Sequence, residues 1–319
     1  MPLPLVGLAD QRSSSHPLKT GSRLPNINDI NGVTVANLAK LDAVLKANIS
    51  KVNGLTLSAA AFLLDTYTGA ALAVSVRLLD KDYTGSCMRI REDSGDTETD
   101  IGFDSNGDLD TASIASHCGS ANGYVVTWYD QSGASNNLTQ STAGNQPQIY
   151  NGTAVITENG KPIISSQGVD DFLSVSYYPA ARWYAYCVGK IPRNSSIFLN
   201  LDTAFTNRIL TAIDNQTQTD AGASAGLTTT SGSFITEIYF DGVSQGSTAT
   251  RDEVHAAFTS QALASFDHLK SVSSGSLYLG TGASFSSFDY QEFIIFETDQ
   301  SSNRSGIETD INGYFSIYS

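Results

Sequence analysis

Along most of this chain, apolar and polar positions alternate over short runs that recur at roughly ten-residue spacing, the period-two pattern of half-buried strands. The runs are Cys87–Arg91, Thr99–Phe103, Gly123–Tyr129, Gln148–Ile156, Pro162–Ser165, Phe172–Tyr177, Trp183–Ile191 and Ser196–Leu201. Arg208–Ile213, Phe234–Phe240, Ala256–Phe266, Ser276–Gly280 and Tyr290–Glu297 continue the series. Asn-Gly at 106–107, 151–152 and 159–160 and Asp-Gly at 241–242 punctuate it with hairpin turns. Many short strands separated by such turns predict an all-β sandwich or barrel. Ser58–Asp65 and Ala70–Leu79 are more uniformly apolar and fit short helices or buried strands. Near the end, Ile307, Ile311 and Tyr314 share one helical face, which predicts a short closing helix over Asn303–Ser316.

The first 57 residues follow another pattern. Residues 1–25 form a Pro/Ser/Gly-rich arm without a period. Leu38, Leu41, Leu45, Ile49 and Val52 then follow three-four spacing within an imperfect eleven-residue repeat, and Asn-Gly at 31–32 and 53–54 bounds the stretch. Two readings fit: an amphipathic helix lying on the main domain, or an assembly segment docking on other subunits. The second is preferred, because the segment contains no Phe, Tyr or Trp and cannot build a core alone. The expected division is therefore an extended or partly helical anchor over 1–57 and a sandwich over 58–319.

Charge divides at the same place. Six bases and three acids give residues 1–57 a charge of +3, so the remainder carries −17 of the total −14. Only 16% of residues are charged, against about 25% in ordinary globular proteins, and 41 Ser and 29 Thr take their place. The acidic balance argues against nucleic-acid binding. No apolar run approaches the ~18–20 residues of a membrane span, and the first residues show no secretory signal. Cys87, Cys118 and Cys187 are odd in number and widely spaced, so neither a zinc site nor a disulfide scaffold is expected.

The densest motif is Trp128-Tyr129-Asp130-Gln131-Ser132-Gly133, where a strand ends in a turn. Asp130 is placed to accept backbone N–H groups there, and Gly133 supplies a left-handed conformation. This strand and loop resemble the catalytic domain of fungal α-L-arabinofuranosidases. The order of motifs across residues 62–165 also resembles a group of bacteriophage structural proteins, as does the N-terminal Ile30-Asn31-Gly32-Val33. The C-terminal Phe293-Ile294-Ile295-Phe296 with its following helix resembles concanavalin A-like jelly-roll sandwiches. The resemblance implies such a sandwich. It further implies a virion structural subunit, a tail fibre, baseplate or head-decoration protein, anchored to other virion proteins through residues 1–57 and self-assembling as a trimer. It would reside in the virion and would not be an enzyme.

Candidate chemistry is sparse. A retaining glycosidase needs two carboxylates ~5–5.5 Å apart. Among the acids downstream of the motif, the candidates are Glu237, Asp241, Asp289, Glu292 and Glu297, none in a recognisable pattern. No catalytic residue, metal or cofactor is expected, and two alternatives stand: a host-glycan receptor-binding module and an arabinofuranosidase-like hydrolase. Asp104–Asp110 has the alternating acids of a calcium loop but lacks its glycine and terminal glutamate, so an Asn-Gly hairpin is the simpler reading. Tyr177, Tyr178 and Trp183 are the candidates for stacking on a host surface glycan, with core packing as the competing explanation.

Overall fold

The computed structural model describes residues 29–30, 33–34, 51–52, 55–56, 62–166, 170–179, 182–191, 195–200, 208–213, 235–247, 249–268, 276–280 and 288–319. The chain separates into two units, 1–59 and 60–319. In the first, β1 (Asp29–Ile30) pairs with β2 (Val33–Thr34), and β3 (Lys51–Val52) with β4 (Leu55–Thr56). Each ladder leaves Asn-Gly as its two-residue connection, the dipeptide that two-residue hairpins select. The helical stripe predicted over 38–52 is thereby corrected at its end, since Val52 is in a strand paired with Leu55. Leu38, Leu41, Leu45 and Ile49 lie outside the described residues.

The second unit begins with a one-turn helix, α1 (Leu63–Thr66), then β5 (Ala70–Ser75), β6 (Met88–Glu92), β7 (Glu98–Ile101) and α2 (Thr111–Cys118). β8 (Asn122–Trp128), β9 (Leu138–Thr139), β10 (Gln148–Asn151), β11 (Thr157–Glu158), β12 (Lys161–Pro162) and β13 (Phe172–Val175) follow. Next come β14 (Trp183–Lys190), β15 (Ser195–Asn200), β16 (Arg208–Ile213), β17 (Ile235–Phe240), β18 (Val243–Gly246) and α3 (Arg251–Phe258). β19 (Ala262–His268), β20 (Leu277–Gly280), β21 (Asp289–Phe296) and α4 (Arg304–Phe315) complete it.

Two antiparallel sheets result, as the strand pattern predicts. The nine-stranded sheet has the order β16-β15-β20-β13-β9-β8-β6-β7, with β10 also on β8. The six-stranded sheet has the order β18-β17-β19-β14-β21-β5. Registers assign the faces. Ala185, Cys187, Ala264, Phe266, Phe293, Ile295, Leu72 and Val74 share one face of the six-stranded sheet. They join Met88, Ile90, Val125, Trp128, Leu138, Leu173 and Leu279 of the other sheet in one buried core. The opposite face of the six-stranded sheet carries Tyr184, Tyr186, Ser265, Asp267, Glu237 and Tyr239. There α4 docks, burying Ile307, Ile311 and Phe315.

One helix follows directly on the far arm of the Asn-Gly hairpin, and another falls where a strand was expected. Residues 109–112 lead into α2 because the Asp110 side chain accepts the Ser113 N–H (3.0 Å) and caps it. The single strand predicted over Ala256–Phe266 is α3 followed by β19. Thr250 and Glu253 form a reciprocal capping box that starts α3. The Asp104–Asp110 loop is a tight turn: Asp104 Oδ1 accepts the Asn106 and Asp108 N–H groups at 2.8 and 3.0 Å, and Phe103 bridges to Leu109.

Candidate active site

The Trp128–Gly133 motif joins the two sheets. Trp128 is fully buried and donates Nε1–H to the Ser75 carbonyl (3.2 Å). Tyr129 donates its hydroxyl to Asp100 (2.7 Å). Asp130 accepts four hydrogen bonds, from Ala73 N, Ser132 N, Ser132 Oγ and Asn136 N, at 2.8–2.9 Å. Gln131 accepts the Leu79 N–H and donates to the Arg77 carbonyl. Gly133 has φ 85°. The motif ties the end of β8 to β5 and its following loop, and its carboxylate is committed to that work.

The paired carboxylates lie in the other sheet. Glu237 of β17 and Asp267 of β19 occupy the same register position. Opposed residues of an antiparallel pair have Cβ atoms about 4.5–5.5 Å apart on one face. Both line a cleft with Tyr184, Tyr186, Tyr239 and Arg304. Asp267 is held on both oxygens: Arg182 Nε donates to Oδ1 (2.9 Å), while Arg182 Nη2 and Thr236 Oγ1 donate to Oδ2. Half-buried Glu237 accepts the Ser244 hydroxyl (3.0 Å), and its hydrogen bond with Tyr239 raises that phenol above its ordinary range. Asp299 at the rim accepts Ser301 N–H and the Tyr184 hydroxyl, which lower its carboxyl to about 2. Arg304 sits 3.7 Å above the Tyr239 ring and also pairs with Glu308.

Tyr186 is 1% exposed, yet its hydroxyl has no hydrogen-bond partner among the described residues. The cleft holds about 70 Å³ of open space, enough for one edge of a small polar ring.

The other acids are placed differently. Asp241 accepts the Leu263 N–H in the β17–β18 turn. Asp289 is buried at the start of β21, where burial pushes its carboxyl up to about 6 against a hydrogen bond from Ser166 N–H. Glu292 is fully buried and pairs with Arg77, which also reaches Asp310 of α4. Glu297 accepts the Tyr177 hydroxyl. Sequence reasoning missed Asp267. Its signal was the alternation in Ala262-Leu263-Ala264-Ser265-Phe266-Asp267, which puts Ser265 and Asp267 opposite the core side.

The aromatic candidates divide as well. Trp183 is fully buried, its ring packed on Phe266 and His268, so it is a core residue and presents no platform. Tyr177 is half-buried, and Tyr178 is 38% exposed.

Residues 65–167 match the family model of the catalytic domain of α-L-arabinofuranosidase B. Among solved structures, the chain is similar to an arabinofuranosidase complexed with arabinofuranosyl-α-1,2-xylobiose. That likeness has 16% identity and a TM-score of 0.50, and covers 79% of this chain and 64% of that one. A mutant GH54 α-L-arabinofuranosidase soaked with 4-nitrophenyl α-L-arabinofuranoside gives 15% identity, a TM-score of 0.49 and the same coverage. The chain thus spans 64% of the length of these solved relatives. No curated protein matches. The virion expectation (tail fibre, baseplate or head decoration) and the expectation of a non-enzyme are overturned. The motifs across 62–165 that carried the virion reading lie almost wholly inside the stretch matched by a glycosidase catalytic-domain family, and the sandwich is similar in fold to a solved arabinofuranosidase.

Proposed function

We propose that the chain is an arabinofuranosidase-like glycoside hydrolase that removes terminal pentofuranosyl residues from a neutral polysaccharide. The observation that carries this is the register pairing of Glu237 with Asp267 inside the cleft. Side chains from directly opposed positions reach the ~5–5.5 Å spacing of the two carboxyl groups in a retaining glycosidase. Asp267, held by Arg182 and Thr236, is the nucleophile: one oxygen attacks the anomeric carbon as the glycosidic bond breaks. Glu237 protonates the departing oxygen, then takes a proton from the water that hydrolyses the glycosyl ester. A shallow cleft admits a chain end rather than a through-running polymer, and the acidic protein favours an uncharged substrate over an anionic one. The matched catalytic-domain family and the sugar in the similar solved structure point to arabinofuranose.

The test is release of 4-nitrophenol from 4-nitrophenyl α-L-arabinofuranoside and of arabinose from arabinoxylan. Glu237→Gln and Asp267→Asn are each expected to lower kcat by about 10²–10⁴-fold with circular dichroism unchanged. Equal rates in folded variants and the parent would remove this pair from the mechanism. No release from either substrate would remove the reading.

A further inference from the structure

A second concavity lies on the other sheet. Arg91 of β6 and Tyr124 of β8 are register partners, one position along from the buried pair Ile90 and Val125, so they occupy the face of the nine-stranded sheet turned away from the core. With Asp93, Gly144, Gln146 and Asp171 they line a groove of about 490 Å³. That volume falls in the range of small-molecule sites, which run from about 300 to 1,000 Å³. It shares no lining residue with the Glu237–Asp267 cleft.

Its polar groups are fixed in advance. Arg91 donates Nε–H to Gln146 Oε1 (2.7 Å), Nη1–H to Asp96 (2.6 Å) and Nη2–H to the Ala143 carbonyl (3.3 Å), and its guanidinium carbon lies 5.1 Å from the Tyr124 ring centre. Gln146 in turn donates to the Gln140 carbonyl (2.9 Å). Asp93 receives Asn122 N–H and Nδ2–H, both at 2.9 Å. Asp171 is 5% exposed. Binding here would therefore order few side chains, which removes a main cost of association.

The chemistry selects the ligand. Asp93 and Asp171 line the groove together with a single guanidinium that is already paired with Asp96, so an anionic ligand is repelled. No group of three His, Cys, Asp or Glu side chains suited to a metal occurs among the described residues. What remains is a set of planar acceptors and donors around an aromatic ring, suited to vicinal hydroxyls and the apolar face of a sugar. We propose that this groove is a second, non-catalytic subsite that holds a neutral oligosaccharide, the backbone of the branched polymer. The choice of sugar rests on the hydrolase reading above; the existence of a saccharide subsite does not.

Calorimetric titration of the full chain carrying Glu237→Gln with xylotetraose tests it, with arabinoxylan oligosaccharides as a second ligand. Binding on the order of millimolar or tighter is expected, weakened about tenfold or more by Tyr124→Ala or Asp171→Asn. Gly144→Gln supplies a variant that spares the fold. A Cβ there meets no atom within 4 Å, so the new side chain fills the groove while breaking no hydrogen bond. It should abolish xylotetraose binding while cleavage of the aryl arabinofuranoside, measured with Glu237 restored, stays unchanged. Binding that survives Gly144→Gln, or no binding to either saccharide, overturns the proposal. So does calcium binding that Asp171→Asn removes while saccharides give no heat. Saccharide binding without hydrolysis would leave the groove standing and remove the hydrolase; hydrolysis without groove-dependent binding would do the reverse.

Discussion

Asp130 and Asp267 are both carboxylates with several hydrogen bonds, but their donors tell them apart. Every donor to Asp130 is local loop structure or the backbone of β5 in the facing sheet, so it serves the fold. The donors to Asp267 are the side chains of Arg182, just before β14, and Thr236 of β17, and the residue lines a cleft beside a second acid. Asp289 is a third case, a carboxyl whose charge the fold resists. Its pKa rises from 3.8 to about 6 in the folded protein, mainly through burial. Between those values the folded state binds more protons than the unfolded one, so this group makes stability fall as pH rises from about 4 to about 6. The loss by neutral pH is about 2–3 kcal/mol. Asp289→Asn keeps an acceptor for the Ser166 N–H and removes the charge. Urea unfolding at pH 4.5 and 7.5 should show the variant gaining about 2 kcal/mol on the parent between the lower and the higher pH. An unchanged difference between the two pH values would show that Asp289 titrates at its ordinary value. At this scale the sequence named Glu237 among five acids but could not select it. Selection needs Asp267, thirty positions later, and only the β17–β19 register brings the two together.

At the scale of elements, the period-two runs located most strands because one face of each sheet is buried and the alternation is strict there. It failed where capping chemistry interrupts an apolar stretch. Ala256 and Phe258 read as the start of a strand, yet Thr250-Arg251-Asp252-Glu253 just before them is a helix-start signal. The box is reciprocal: Thr250 Oγ1 accepts the Glu253 N–H (3.2 Å), and Glu253 Oε2 accepts the Thr250 N–H (2.6 Å). Thr250→Ala should therefore destabilise the protein by about 1 kcal/mol, read as a lower urea midpoint at constant slope. No change would mean that the packing of buried Phe258 on Phe240 and Phe288 holds α3 without its cap. The closing helix was legible for the same reason as the strands, since Ile307 and Ile311 repeat on its buried face. Its polar anchor was not. Arg77 lies 215 positions from Glu292, and no local pattern announces that the two meet under α4.

For the whole molecule, the average charge and composition conceal a division that the contacts also show, at residue 59 rather than 57. The first 59 residues contribute no aromatic side chain. Every aromatic side chain lies after residue 59, so the second unit carries the large core-forming residues itself and should fold and act without the first. A chain beginning at residue 60 is expected to melt cooperatively within about 2 °C of the full chain, since a loss of 1 kcal/mol shifts a domain of this size by roughly 2–4 °C. Its rate on 4-nitrophenyl α-L-arabinofuranoside should match the parent's. A broad transition or a markedly lower melting temperature would show instead that the basic, aromatic-free segment completes the sandwich. An intact melt with lost activity would show that it completes the cleft.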